Sequence, residues 1–227
     1  MIWLSLVILT FFAGALADYV VQRVRAKSAV PETVPVPATL VATSEPAPPR
    51  YIEGFEVPES IRYHPGHMWL KRDWKNTVRV GADEFAAKLA GEISHIDLPA
   101  RGEWFRQGQP ILKLHRNGET ATMVAPIEGE VVDVNPEVLR DPSLLRRDSY
   151  GKGWLLALRV YDETSPSRNL LPANLVPGWM KDAVSRLYAK QPSLVAVAAD
   201  GGRPMDDLLS GVRGAEWEKI TAEFFLA

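Results

Sequence analysis

The 227-residue chain contains no cysteine. That absence excludes a disulfide framework, a Cys-ligated zinc, an iron–sulfur cluster and a thiol nucleophile. There is no excess of charge of either sign, since 26 Lys plus Arg stand against 28 Asp plus Glu. Nucleic-acid-binding chains usually carry a basic stripe, and without one no nucleic-acid partner is expected. No Ser–His–Asp or Cys–His arrangement can be drawn from the spacing of the residues. "DGG" at 200–202 reads as a turn, without the glycine-rich fingerprint and following lysine of a phosphate loop. No catalytic residue is expected, and the chain is read as a non-enzyme.

What the chain does have, first of all, is one long apolar run. Ile2 to Val21 holds a single charge, Asp18. Twenty helical residues span roughly 30 Å, the thickness of a bilayer core. Asp18 falls near one end, where a charge costs much less than at the bilayer centre. Arg23, Arg25 and Lys27 follow at once, and no Lys or Arg precedes the run. The positive-inside rule then predicts a single-pass transmembrane helix, bound to the lipid bilayer, with the rest of the chain in the cytoplasm. The alternative is a cleaved signal peptide and export, because "ALA" at 15–17 resembles a cleavage site. The positive region that should open a signal peptide is missing.

Residues 1–27 are therefore expected to be an anchor with a basic flank. Residues 28–50 contain six prolines and no aromatic residue. Such a composition predicts a disordered or polyproline-like tether, drawn here as 28–58. At ~3.1 Å per residue it reaches up to roughly 70 Å.

Dense strand signals follow. Residues 77–82, 92–98, 109–116, 119–125, 129–135 and 154–160 are short β-rich runs bounded by Gly, Pro or Asn. Residues 83–91 read as one connecting helix, with Phe85 and Leu89 on a face and Gly91 at its C-terminal cap. Asn117-Gly118 predicts a two-residue type I′ hairpin between Leu112/Leu114 and Ala121/Met123. "AGEISHIDLP" and "EGEVVDVNP" form a faint repeat that suits a quasi-symmetric sandwich. A β domain is placed at 59–165.

Beyond residue 166 the pattern turns helical. Trp179, Met180, Ala183, Val184, Leu187 and Tyr188 mark one helix face, and Trp217, Ile220, Phe224 and Phe225 another. "SLVAVAA" (193–199) reads as a buried strand. Residues 166–227 are expected to form a small α+β unit. Asp206 and Asp207 read as a helix start before "LLSGV", where carboxylates cap free N–H groups. His64 and His67 in "HPGH" lack a third ligand at recognisable spacing, so no metal is expected. His95 lies between apolar strand residues and reads as structural.

In order along the chain, four segments resemble the glycine cleavage H protein, a lipoyl-domain-like carrier. They are "YHPGHMWL" with Tyr63, His67 and Trp69; "VRVGADEFAAKLAGEISHIDLPARG"; "VAPIEGEVVDVN"; and "DPSLLRRDSYGKGWL". The resemblance implies a mainly β barrel-sandwich hybrid. The family works through one hairpin lysine that carries lipoate as an amide. Seven residues before Ala125, that position falls on Gly118, which has no amine. Asn117 and Glu119 cannot form the amide either, and the nearest lysine, Lys113, lies on the strand. No cofactor is therefore expected. The missing lysine, taken with the anchor and tether, reads as an adaptor or assembly subunit that binds an unidentified protein through its sandwich, its hairpin tip or its C-terminal unit, with His115, Arg116, Asn117, Gly118 and Glu119 as the candidate contacts. The alternative is a lipoyl carrier of glycine or one-carbon metabolism modified elsewhere, at Lys113.

Overall fold

The computed structural model describes residues 50–161, 170–191 and 203–227. The chain divides into two units, 1–47 and 48–227, and all described residues belong to the second. The expected transmembrane helix, the tether up to residue 49, the strand at 193–199 and the turn at 200–202 lie outside the described residues. Among the described residues no helix is long and apolar enough to cross a membrane.

The strands in chain order are β1 (Tyr51–Ile52), β2 (Phe55–Glu56), β3 (Arg62–His64), β4 (Met68–Trp74), β5 (Thr77–Ala82), β6 (His95–Asp97), β7 (Trp104–Phe105), β8 (Pro110–Arg116), β9 (Glu119–Val124), β10 (Gly129–Val134) and β11 (Leu156–Arg159). The helices are α1 (Glu84–Ala90), α2 (Pro136–Arg140), α3 (Leu144–Arg147), α4 (Val176–Lys190) and α5 (Ala215–Phe225). Strands β3-β4-β5-β11-β10-β7 form a six-stranded sheet, and β6-β8-β9 a three-stranded one. Neighbouring strands in both sheets pair antiparallel. A single apolar core, from Ile52 to Phe225, joins both sheets and the helices. The two copies of the faint repeat feed β6 and β10, one in each sheet.

Local chemistry accounts for the elements that position the hairpin. The Asp83 carboxylate accepts the Ala86 N–H at 2.7 Å and starts α1. Gly91 ends it at φ 75°, a conformation that favours glycine. A Cβ there would collide with Asp207 and Arg116. Trp69 lies across Gly81, and its indole N–H is shared between the Ala82 and Ser149 carbonyls at 2.9 and 3.0 Å.

Several expectations need correction. The expected tether does not run on to residue 58. Residues 51–56 form the β1–β2 hairpin, and Ile52, Phe55 and Val57 are buried. The Tyr150 hydroxyl donates to the Glu56 carbonyl at 2.6 Å and accepts the Glu84 N–H at 3.2 Å, which ties this hairpin to α1. Proline content had masked an apolar alternation too short to register. The strand at 92–98 shrinks to β6, because Gly91 leaves helical geometry and the Ile93 N–H turns back to the Gly91 carbonyl at 3.0 Å. The run at 154–160 shrinks to β11, because Asn135 takes the Trp154 carbonyl at 2.6 Å. The β domain holds α2 and α3 as well as its connecting helix. Asp206 and Asp207 do not start a helix. Residues 208–211 form turns, and Asp207 is spent on Arg116.

The helical tail packs on the β domain. In α5, Trp217, Ile220, Phe224 and Phe225 are buried, as their spacing predicts, and in α4 so are Met180, Ala183, Val184 and Leu187. A buried aromatic side chain contributes on the order of 3 kcal/mol by area alone, so this docking is integral to the fold.

Candidate functional site

The β8–β9 hairpin pairs Arg116 with Glu119 and leaves Asn117-Gly118 as its two-residue tip. Asn117 has φ 49° and Gly118 φ 84°, the left-handed pair that a type I′ turn needs. Both residues are exposed, and a Cβ on Gly118 would meet nothing within 4 Å. Leu112 faces Met123 and Leu114 faces Ala121, in the register that the alternation predicts.

The five candidate contact residues divide. Asn117 and Gly118 are open to solvent, and His115 is half-buried. Arg116 and Glu119 are not available. Arg116 is 1% exposed. Its Nη1 donates to the Asp207 carboxylate at 3.0 Å and to the Ala90 carbonyl at 3.3 Å, and its Nη2 to the Leu209 carbonyl at 3.1 Å. The guanidinium also lies 5.6 Å from the Trp217 ring centroid. Of the three guanidinium nitrogens, Nε is the one that finds no acceptor among the described residues. Glu119 accepts the Gly214 N–H, and the Thr120 N–H donates to Glu218 at 3.0 Å. The C-terminal segment thus grips the root of the hairpin from the inside. The sequence does hold a signal for this. With period-2 alternation, Arg116 is in phase with Leu112 and Leu114, and Glu119 with Ala121 and Met123. Both therefore point to the core side.

The outer face is polar. His115 Nε2 meets Asp97 at 2.7 Å and His95 Nε2 meets the other Asp97 oxygen at 2.9 Å. The His115 hydrogen bond holds the Asp97 carboxyl below the ordinary carboxylate range. His95 is exposed and paired, not enclosed by its apolar neighbours. Lys113 is exposed on β8, with Asp97 and Thr122 as its cross-strand neighbours. Among the described residues no group of three His, Cys, Asp or Glu side chains is arranged to hold a metal ion.

His67 serves the scaffold. It is fully buried, its ring 4.4 Å from both Phe85 and Trp179, with Nδ1 2.8 Å from Asp83. His64 Nδ1 accepts the Gly66 N–H at 3.1 Å. Burial pushes the His64 imidazole down from 6.5 to about 4, and the neighbouring His67 acts in the same direction. The unfolded chain binds that proton below about pH 6.5, and the folded chain only near pH 4. His64 therefore contributes fully above pH 6.5 and progressively less as the pH falls to 4, a change of about 2 kcal/mol after allowance for partial solvent access. In urea unfolding at pH 7 and pH 4.5, the stability gap between the parent and His64→Gln should narrow by about that amount. An unchanged gap would contradict it.

Comparison with known proteins finds relatives of this sequence. The family model described as "Glycine cleavage H-protein" matches residues 61–182, past 165 and into α4. The "Glycine cleavage system H protein" of Carboxydothermus hydrogenoformans is 34% identical over 116 residues, 51% of this chain and 88% of that protein. The "Probable glycine cleavage system H protein 2" of Sulfurisphaera tokodaii is 30% identical over 112 residues, 48% of this chain and 76% of its own length. A crystal structure of a glycine cleavage system H protein from Mycobacterium marinum aligns with a TM-score of 0.47 and 26% identity, covering 54% of this chain and 97% of the other. With a family match over more than half its length, and with the hairpin, helix and paired sheets in place, this chain belongs to the glycine cleavage H-protein family.

Proposed function

We propose that this chain is a membrane-tethered, non-lipoylated H-protein-like module that serves as an adaptor or assembly subunit for a protein partner. The observation that carries the reading is the hairpin tip. Where the resemblance assigns a lipoyl-lysine, this chain has Gly118 in a tight turn, with no amine to acylate. The tip keeps a defined shape because Arg116 and Glu119 hold it from within. A rigid scaffold that presents an exposed loop is the usual setting for a binding surface. His115, Asn117 and Gly118 are the solvent-facing contact candidates. Residues 1–27 supply the tether to the bilayer, with the module on the cytoplasmic side.

The carrier alternative has one point in its favour, the exposure of Lys113. Its amine stands on a strand five residues from the tip, away from the apex that a swinging arm needs.

One experiment separates the two. The full chain is captured from membranes, the co-purifying protein is identified, and the intact mass of the chain is measured. An unmodified mass with a stoichiometric partner is expected. A lipoyl adduct would overturn the proposal, and its loss in Lys113→Ala would restore the carrier reading. A reporter active only outside the cytoplasm, fused after residue 227, should be silent.

A further inference from the structure

Two hairpin tips differ in what they leave free. At the β8–β9 tip the neighbouring charged side chains are buried, Arg116 on Asp207 and Glu119 on the Gly214 N–H. At the β4–β5 tip they are not. Residues 71–76, Lys-Arg-Asp-Trp-Lys-Asn, are all exposed, so this hairpin stands clear of the core. Trp74 is 71% exposed at its end. Asp73, the one carboxylate in the run, is tied to Arg79 at 3.0 Å. Arg72 donates to the Lys75 carbonyl at 3.3 Å, which stiffens the turn. Among the described residues neither Lys71 nor Lys75 has an ion-pair partner. Beside the tip lies a depression of about 300 Å³ lined by Lys71, Arg79, Lys152, Trp154 and Glu137. Five cations (Lys71, Arg72, Lys75, Arg79 and Lys152) thus stand here against three carboxylates (Asp73, Glu137 and Asp148, which accepts the Lys152 backbone N–H). That local positive excess stands out on a chain whose formal charge is −2.

We propose that the β4–β5 hairpin docks on an anionic lipid surface, with Trp74 at headgroup level and the flanking cations against the lipid charges. An indole has an apolar body and a polar N–H, which suits the bilayer interface. Each Lys or Arg near such a surface adds roughly fivefold in affinity and needs no exact pairing geometry. A nucleic acid is the less suitable partner, because one exposed ring offers no run of stacking platforms and the basic patch does not extend into a stripe. The proposal concerns residues 48–227 alone. Its outcome is independent of the adaptor role and of residues 1–27.

Residues 48–227 form one compact unit with its own core and can be studied separately. This fragment is spun with phosphatidylcholine vesicles and with vesicles that also contain phosphatidylserine. Binding is expected only to the anionic vesicles, and it should fall steeply as salt is raised. Lys75→Glu, which removes a positive charge and adds a negative one, should weaken it by roughly 25-fold, and Trp74→Ser by about tenfold, with circular dichroism unchanged. Equal binding to neutral vesicles, no binding, or variants that bind like the parent would overturn the proposal. So would binding to a single-stranded oligonucleotide in preference to the vesicles.

Discussion

Gly118→Lys should turn this chain from an inert protein into a substrate for lipoyl attachment. Incubated with lipoate, ATP and a lipoate ligase, the variant is labelled to near completion while the parent takes up none. The expectation rests on geometry already present. The tip is a two-residue turn, it is exposed, and the space around the missing Cβ is open to 4 Å. What it lacks is the amine. A side chain at φ 84° is strained, at roughly 1–2 kcal/mol, which a domain of ordinary stability tolerates. Lys113→Ala in the same background should leave the labelling intact. If the folded Gly118→Lys chain stayed unlabelled, the tip would not be equivalent to the carrier's, and the reading of a lost lysine would fail.

Arg116→Ala should lower stability by about 3–5 kcal/mol, because it strips the partner from a buried charge network. Asp207 loses its cation, and the carbonyls of Ala90 and Leu209 lose a donor. Urea denaturation of parent and variant measures the loss. The pair is not irreplaceable on energetic grounds, since desolvating two ions offsets most of their attraction. Arg116→Met combined with Asp207→Leu should therefore recover much of the deficit. A single variant within 1 kcal/mol of the parent would show that the guanidinium is solvated, contrary to its 1% exposure.

Elements that depend on near neighbours in the chain were legible in the sequence. The hairpin around Asn117-Gly118 and the helix from Asp83 to Gly91 each carry their own turn or cap chemistry. The apolar stripes of α4 and α5 were legible from their helical period alone. The β1–β2 hairpin was not legible, because two-residue strands give alternation almost no length to act on. The real state of the tip was also hidden. Arg116 and Glu119 beside a turn look like solvated charges, and only their phase with the leucines says otherwise. Their partners, Asp207, Leu209 and Gly214, lie in a stretch with no periodic pattern. Asp206-Asp207 was misread for the same reason, as a local cap explains a carboxylate until its distant cation is seen. Tyr63, His67 and Trp69 carried the family resemblance, and their roles are in packing. Such residues identify a scaffold without revealing its task.

The grip on the hairpin root also bears on the order of synthesis. Ninety-one positions separate Arg116 from Asp207. A chain emerging from the ribosome N-terminus first exposes the complete hairpin well before residues 207–227 arrive. Until residues 207–225 emerge, the guanidinium must stay hydrated and the face of β9 on which α5 packs stays uncovered. Release of a prematurely terminated product would leave that surface bare, so quality-control proteases should clear such products long before any partner meets them.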